Sequence, residues 1–294
     1  MTNSKIEFKK QRELGEILSD TFAFIRQQFK SYFSTVLKIV GPYILIALAG
    51  LGLYLYSLGS FMNFASLGNS LPESKLMYLF LSIILLLIGG IATYALSYSV
   101  TLNYIWSYDK NDGVVNDEEV RKGVRDTFWN IIGLGILVVL ILFVATFLCC
   151  LPAVYLWVPL SLSYPLLVFR KLSIGNAISD SFKLIQDEWW MTFATMLVVF
   201  IIIAIAGYAF SIPALIYTYV KMGISMGQND FAEGDLFFAD PIYIALNILS
   251  YFFQYILNLI TLISTVFIYF HLNEKKNFTG TFKKIDSLGG NSTN

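Results

Sequence analysis

The chain has 294 residues, of which 56% are apolar and only 14% charged, against roughly 25% charged in soluble domains. Mean hydropathy is +0.66, and several unbroken apolar runs of about 20 residues exclude an ordinary soluble core. Lys+Arg and Asp+Glu balance at 20 each, so net charge points to no particular partner.

The first 35 residues are rich in Lys, Glu, Gln and Arg. They lack the short apolar core and small-residue cleavage site of a signal peptide, so the first true span is expected to drive insertion. Thr2 stands where myristoylation needs glycine, and no cysteine lies near the C-terminus, so no lipid anchor is expected. Apolar spans are predicted at about Val36–Leu58, Met77–Trp106, Asn130–Leu151, Pro152–Phe169, Trp190–Val220 and Ile242–Phe270. The second is long enough to tilt or to project from the bilayer. Residues 130–169 have nearly twice the length of one span. Pro152 suits the first turn of a new helix, where its missing N–H costs nothing, so a tight hairpin is expected at Leu151-Pro152. Residues 277–294 read as a flexible tail.

Orientation follows from the basic residues. Eighteen of the 20 flank the ends that face one side: the segment before the first span, the loops after the second and fourth, and the tail. Only Lys75 and Lys221 face the other. Both termini are therefore expected to be cytoplasmic, in a bacterial inner membrane, and the alternation requires an even number of crossings.

An internal repeat is the most specific feature. LGEILSDTFAFIRQQFKSYF at 14–33 aligns with IGNAISDSFKLIQDEWWMTF at 174–193, and VRKGVRDTFWNI at 120–131 is a shorter copy. Shared positions include Gly15/Gly175, Asp20/Asp180, Phe22/Phe182 and Ile25/Ile185. Each copy has a helical apolar stripe, such as Leu14, Leu18, Phe22, Ile25 and Phe29 in the first. The pattern predicts three parallel repeats, about 14–106, 120–169 and 174–271. Each would be a cytoplasmic interfacial elbow helix followed by a transmembrane hairpin, in one all-α polytopic domain. The recurring Asp20, Asp126 and Asp180 would either converge on one cytoplasmic site or, more economically, each pair locally and fix the helix entry. Trp129, Trp189 and Trp190 read as interfacial belt residues.

LPAVYLWVPLSLSYPLLVF at 151–169, the following IGNAISDSFKLIQDEWWMTF, and the closing YFHLNEKKNFTGTFKKID at 269–286 resemble the membrane domain associated with bacterial glycerophosphoryl diester phosphodiesterases. They also resemble related uncharacterised six-span bacterial membrane proteins. The resemblance covers most of the chain and implies a membrane-embedded module. It brings no catalytic residues, because the phosphodiesterase chemistry needs paired histidines and carboxylates around a metal, and His271 is the one histidine here.

No charge lies near a span centre, which argues against ion-coupled transport. Lys38 is the deepest and can snorkel. Uncharged polar residues do lie within spans: Ser97, Ser99, Thr101 and Asn103 in the second, and Asn247, Gln254, Asn258 and Thr261 in the sixth. They would either bond between helices or line a polar groove. Pro42, Pro159, Pro165 and Pro213, with Gly89-Gly90, permit kinks and close contacts. Adjacent Cys149 and Cys150 read as packing residues, with no metal set. The acidic segment 228–241, with Asp230, Glu233, Asp235 and Asp240, does not match a calcium loop and reads as a solvated outer loop. There is no P-loop and no nucleophile elbow. No cofactor, catalytic residue or metal site is expected, and no nucleic-acid partner. The expected function is non-catalytic: membrane organisation, or a membrane scaffold for other proteins. The alternative is a transporter or binder of a lipid-like or small amphiphilic molecule.

Overall fold

In hydrocarbon a backbone must satisfy its own N–H and C=O groups, and long apolar segments do so as helices. The computed structural model describes residues 5–67, 73–148, 150–228 and 240–282, and the regular structure among them is helical. In chain order the elements are α1 (Leu14–Leu67), α2 (Glu73–Lys110), α3 (Asp117–Leu148), α4 (Cys150–Phe169), α5 (Ile174–Ile185), α6 (Trp189–Gln228) and α7 (Pro241–Asn277). All but α5 are long and apolar enough to cross a membrane, six in total, so the chain is a multi-pass membrane protein. Cys149, the first three acidic residues of segment 228–241, and residues 283–294 of the expected tail lie outside the described residues.

Local chemistry sets the helix ends. The α2–α3 turn reverses at Asp112 (φ 51°) and Gly113 (φ 95°), left-handed positions that glycine adopts without a Cβ clash. Asn116 then caps α3: its Oδ1 accepts from the N–H groups of Glu118 at 2.9 Å and Glu119 at 3.4 Å. Asp117, Glu118 and Glu119 place negative charge in the first turn, where the helix dipole favours it. α4 begins at Cys150, two residues before the start expected at Pro152, so Pro152 lies in its first turn. At the start of α7, Asp240 Oδ1 accepts from the Ile242 N–H at 2.8 Å, and Pro241 occupies the first helical position.

The entry segments differ from one another. In the third copy α5 ends at Ile185, and the chain turns through Gln186 and Asp187 (φ 71°) before α6 opens at Trp189. The Glu188 carboxylate is held there by Lys275 at 2.6 Å. In the first two copies no break occurs: α1 runs 54 residues from Leu14, and α3 runs 32 from Asp117. No glycine or proline interrupts residues 16–40 or 124–132, so the helix simply continues into the apolar span.

Packing divides the chain into two compact units. One comprises Met1–Val36, Ala95–Ile201 and Leu259–Asn294, the other Leu37–Tyr94 and Ile202–Asn258. In the first, Phe8, Phe24, Tyr104, Tyr108 and Phe267 form a fully buried aromatic cluster, with Phe8 stacked on Phe267 at 4.7 Å and edge-on to Phe24 at 5.3 Å. In the second, glycines allow close backbone approach. A Cβ on Gly89 would lie 2.6 Å from the Ala47 nitrogen, and one on Gly50 2.9 Å from the Leu86 nitrogen.

Candidate functional site

The polar chemistry of the first unit gathers around three features, and one of its buried charges is one the sequence did not single out. Arg12 lies in the segment before α1, with its side chain 1% exposed. Its Nε donates to Asp20 at 2.7 Å, its Nη1 to the Phe8 carbonyl at 2.7 Å, and its Nη2 to the Glu7 carbonyl. The guanidinium also sits 4.9 Å from the Phe267 ring centre. The backbone N–H of Arg12 donates to His271 Nδ1 at 2.9 Å, so the lone histidine serves as an acceptor that ties the N-terminal segment to α7. Lys9 adds a bridge to Asp109 at 2.7 Å.

The other chain end is fastened similarly. Glu274 is buried, and its two carboxylate oxygens accept from the N–H groups of Gly280 at 2.7 Å and Thr281 at 2.9 Å and from the Thr281 hydroxyl at 2.8 Å. Residues 278–282 thus form a bonded turn over Lys9, within the stretch expected to be flexible from 277. The sequence signal was only a Glu six and seven residues before a Gly-Thr pair, too common to read.

The three recurring aspartates have three different environments. Asp20 pairs with Arg12, eight residues upstream. Asp180 pairs with Lys183 at 3.0 Å and faces Arg170, ten residues upstream, at 4.0 Å. At the comparable distance before Asp126 stand Asn116, Asp117 and Glu118, which bring no positive charge. Asp126 instead lines a cavity and makes no ion pair among the described residues. No described cavity holds two of the three. The hydroxyls that follow them play one common role: Thr21, Thr127 and Ser181 bond to carbonyls of their own helix at 2.7, 2.8 and 2.7 Å. Thr21 also meets Ser264 of α7 at 3.4 Å, and Thr127 meets Asn103 of α2 at 3.1 Å.

The cavity that Asp126 lines has about 500 Å³ and lies between the end of α2, the first turns of α3 and the end of α4. Lys110, Lys122 and Lys171 bring positive charge to it, and Glu119 and Asp126 negative. Glu119 is already bonded to Lys110 at 2.5 Å. Among the described residues Lys122 and Lys171 make no ion pair, so the uncommitted charges there are two cations and one anion. Trp106 and Leu167 supply apolar wall, and Lys110 lies 4.9 Å from the Trp106 ring centre. Trp106 and Lys110 also border a second hollow of about 670 Å³, which Arg170 and Tyr269 line from its far side.

The polar residues of the spans mostly make helix contacts. Thr101 meets the Tyr32 hydroxyl at 2.7 Å, and Ser99 meets Thr127 at 3.2 Å. Gln254 donates to Ser211 at 3.1 Å, while Asn247 and Asn258 bond to carbonyls one turn back. Asn103 lines the 500 Å³ cavity; the polar residues of α7 named above do not. Of the two basic residues assigned to the other face, Lys221 pairs with Asp240 at 2.9 Å. Hydrogen bonds from Tyr217 and Lys221 hold the Asp240 carboxyl down at about 2. Among the described residues, no three His, Cys, Asp or Glu side chains gather as metal ligands would. Comparison with protein-family models, curated proteins and solved structures gave no match.

Proposed function

We propose that this protein is a non-catalytic, multi-pass component of a bacterial inner membrane that organises the bilayer or holds other proteins at it, with both termini in the cytoplasm. One observation carries this reading: two buried charges of the first unit, Arg12 and Glu274, fasten the segments just before α1 and just after α7 to the helix ends. A rigid base of this kind is what a scaffold needs. The charge asymmetry of 18 basic residues to two supports the orientation. The matched Arg12–Asp20 and Arg170–Asp180 pairs support three parallel repeats, with the elbow most developed in the third. A stand-alone membrane module of the kind the sequence resembles fits the same role.

A second reading, binding of a lipid-like or small amphiphilic molecule, is favoured by the 500 Å³ cavity. Its uncommitted Lys122 and Lys171 suit a phosphate-bearing headgroup, and Asp126 suits an ammonium beside it. Native mass spectrometry of gently extracted protein separates the two. The scaffold reading expects a reproducible protein partner, retained when Lys122 and Lys171 are both changed to Ala. A bound amphiphile without any protein partner, lost from that double variant, would replace it with the second reading.

A further inference from the structure

The 500 Å³ cavity and the 670 Å³ hollow adjoin at Trp106 and Lys110, which line both. All their lining residues belong to the first unit. Each has the size of a ligand pocket, roughly 300–1,000 Å³. The end of α4 also serves both. Leu167 and Val168 line the cavity, whereas the next two residues, Phe169 and Arg170, line the hollow. Lys171 then turns through a left-handed position (φ 51°), and its side chain lines the cavity again. Adjacent basic residues are thus sent to opposite sides, through a backbone conformation uncommon for a residue with a Cβ.

Charge is left over on both sides. Among the described residues, Lys122 and Lys171 line the cavity, Lys9 and Arg170 the hollow, and Lys110 both. Asp109, Glu119 and Asp126 oppose them, which leaves a surplus of two positive charges. Lys9 is bridged to Asp109 at 2.7 Å and Lys110 to Glu119 at 2.5 Å, so these pairs cancel. In the cavity, Lys122 and Lys171 then exceed Asp126 by one charge. In the hollow, Arg170 remains. It donates to Asn273 at 2.6 Å, while its Nη1 stands 4.0 Å from Asp180, beyond hydrogen-bond reach. Asp180 is itself bonded to Lys183 at 3.0 Å.

Apolar wall accompanies each surplus charge: Trp106 and Leu167 in the cavity, Phe169 and Phe270 in the hollow. The apolar run of α2 ends at Trp106 and that of α4 at Phe169. In a bilayer, both sites therefore lie where hydrocarbon gives way to headgroups. One positive charge and an apolar wall on each side of a shared ring suit a ligand with two separate anionic groups whose chains stay in the membrane.

We propose that the two hollows form one forked site for a phospholipid with two phosphodiester groups, of the cardiolipin class. One phosphate lies against Lys122 and Lys171 and the other against Arg170, with Trp106 and Lys110 between them. Each phosphodiester carries a single negative charge, so the pair matches the surplus of two. This rests on the amphiphile-binding reading above and names its ligand.

Native mass spectrometry of delipidated protein, titrated with one ligand at a time, tests this. Cardiolipin is expected to bind more tightly than phosphatidylglycerol or phosphatidylethanolamine. Lys122→Ala/Lys171→Ala should weaken it about thirtyfold, the effect of two basic residues beside lipid phosphate. Both lysines are exposed, so this variant leaves the core untouched. Arg121→Ala/Arg125→Ala removes the same charge from exposed positions of α3 outside both hollows and should change nothing. Arg170→Gln should bring cardiolipin down to the level of phosphatidylglycerol. Equal affinity for either single-phosphate lipid would overturn the proposal and leave the amphiphile reading standing. Equal losses in the two double variants would overturn it as unspecific charge attraction. Inorganic phosphate binding as tightly as cardiolipin would show that the site takes the free anion instead. No lipid bound by the parent protein would sink both the proposal and the amphiphile reading.

Discussion

At the scale of single residues, Arg12 shows how little of an environment a sequence reveals. It stands in a run of charged residues, EFKKQRE, and nothing in composition or period separates it from Lys9 or Lys10. Lys10 bonds Glu16 with both side chains about half exposed, whereas Arg12 is enclosed, and only its planar fork can serve two carbonyls and Asp20 together. Asp20 is already about one-third exposed beside Arg12, so water makes good part of the pairing lost when Arg12 is removed. Arg12→Ala is expected to cost about 1–3 kcal/mol, the range for hydrogen bonds to charged groups, and Arg12→Lys should recover only part of it. Thermal unfolding in detergent reads the difference. An Arg12→Ala melting temperature equal to that of the parent would contradict the fastening role. The aspartates were legible as a recurring element, but their partners were not. Pairing depends on what stands eight to ten residues upstream, and at Asp126 nothing basic does.

At the scale of elements, hydropathy located the spans to within a few residues wherever the helix end coincides with the end of the apolar run, as at Phe169. It placed other ends too early or too late where an amphipathic or polar segment continues the same helix. α1 begins at Leu14, far before Val36, because residues 14–35 keep the helical period without being apolar throughout. Close approach is legible in part, since the Gly89-Gly90 pair announces it. The partner surface at Ala47 follows only from the fold. Gly89→Val would press its side chain into the α1 backbone. It is expected to destabilise the contact by about 1–3 kcal/mol, as overpacking does. Gly90→Val, which has open space, should be nearly neutral. Comparing detergent half-lives of the two variants checks this, and equal losses would mean that α1 and α2 do not meet at Gly89.

At the scale of the whole molecule, class comes from apolar length, which a sequence states directly, and the proposed orientation rests on the sidedness of lysine and arginine. The cavity beside Asp126 and the seat of α4 against α6 and α7 come from packing between segments distant in sequence, such as Tyr155 with Trp189 and Phe169 with Tyr269, which no local period encodes. The organising role depends on the two chain ends sharing the cytoplasmic face. The most direct measurement fuses a reporter that fluoresces only in the cytoplasm, and separately one active only outside it, to each terminus in bacterial cells. Fluorescence at both ends without external activity is the predicted result. External activity at either terminus would contradict it, because the segments that carry 18 of the 20 basic residues would then no longer share one face.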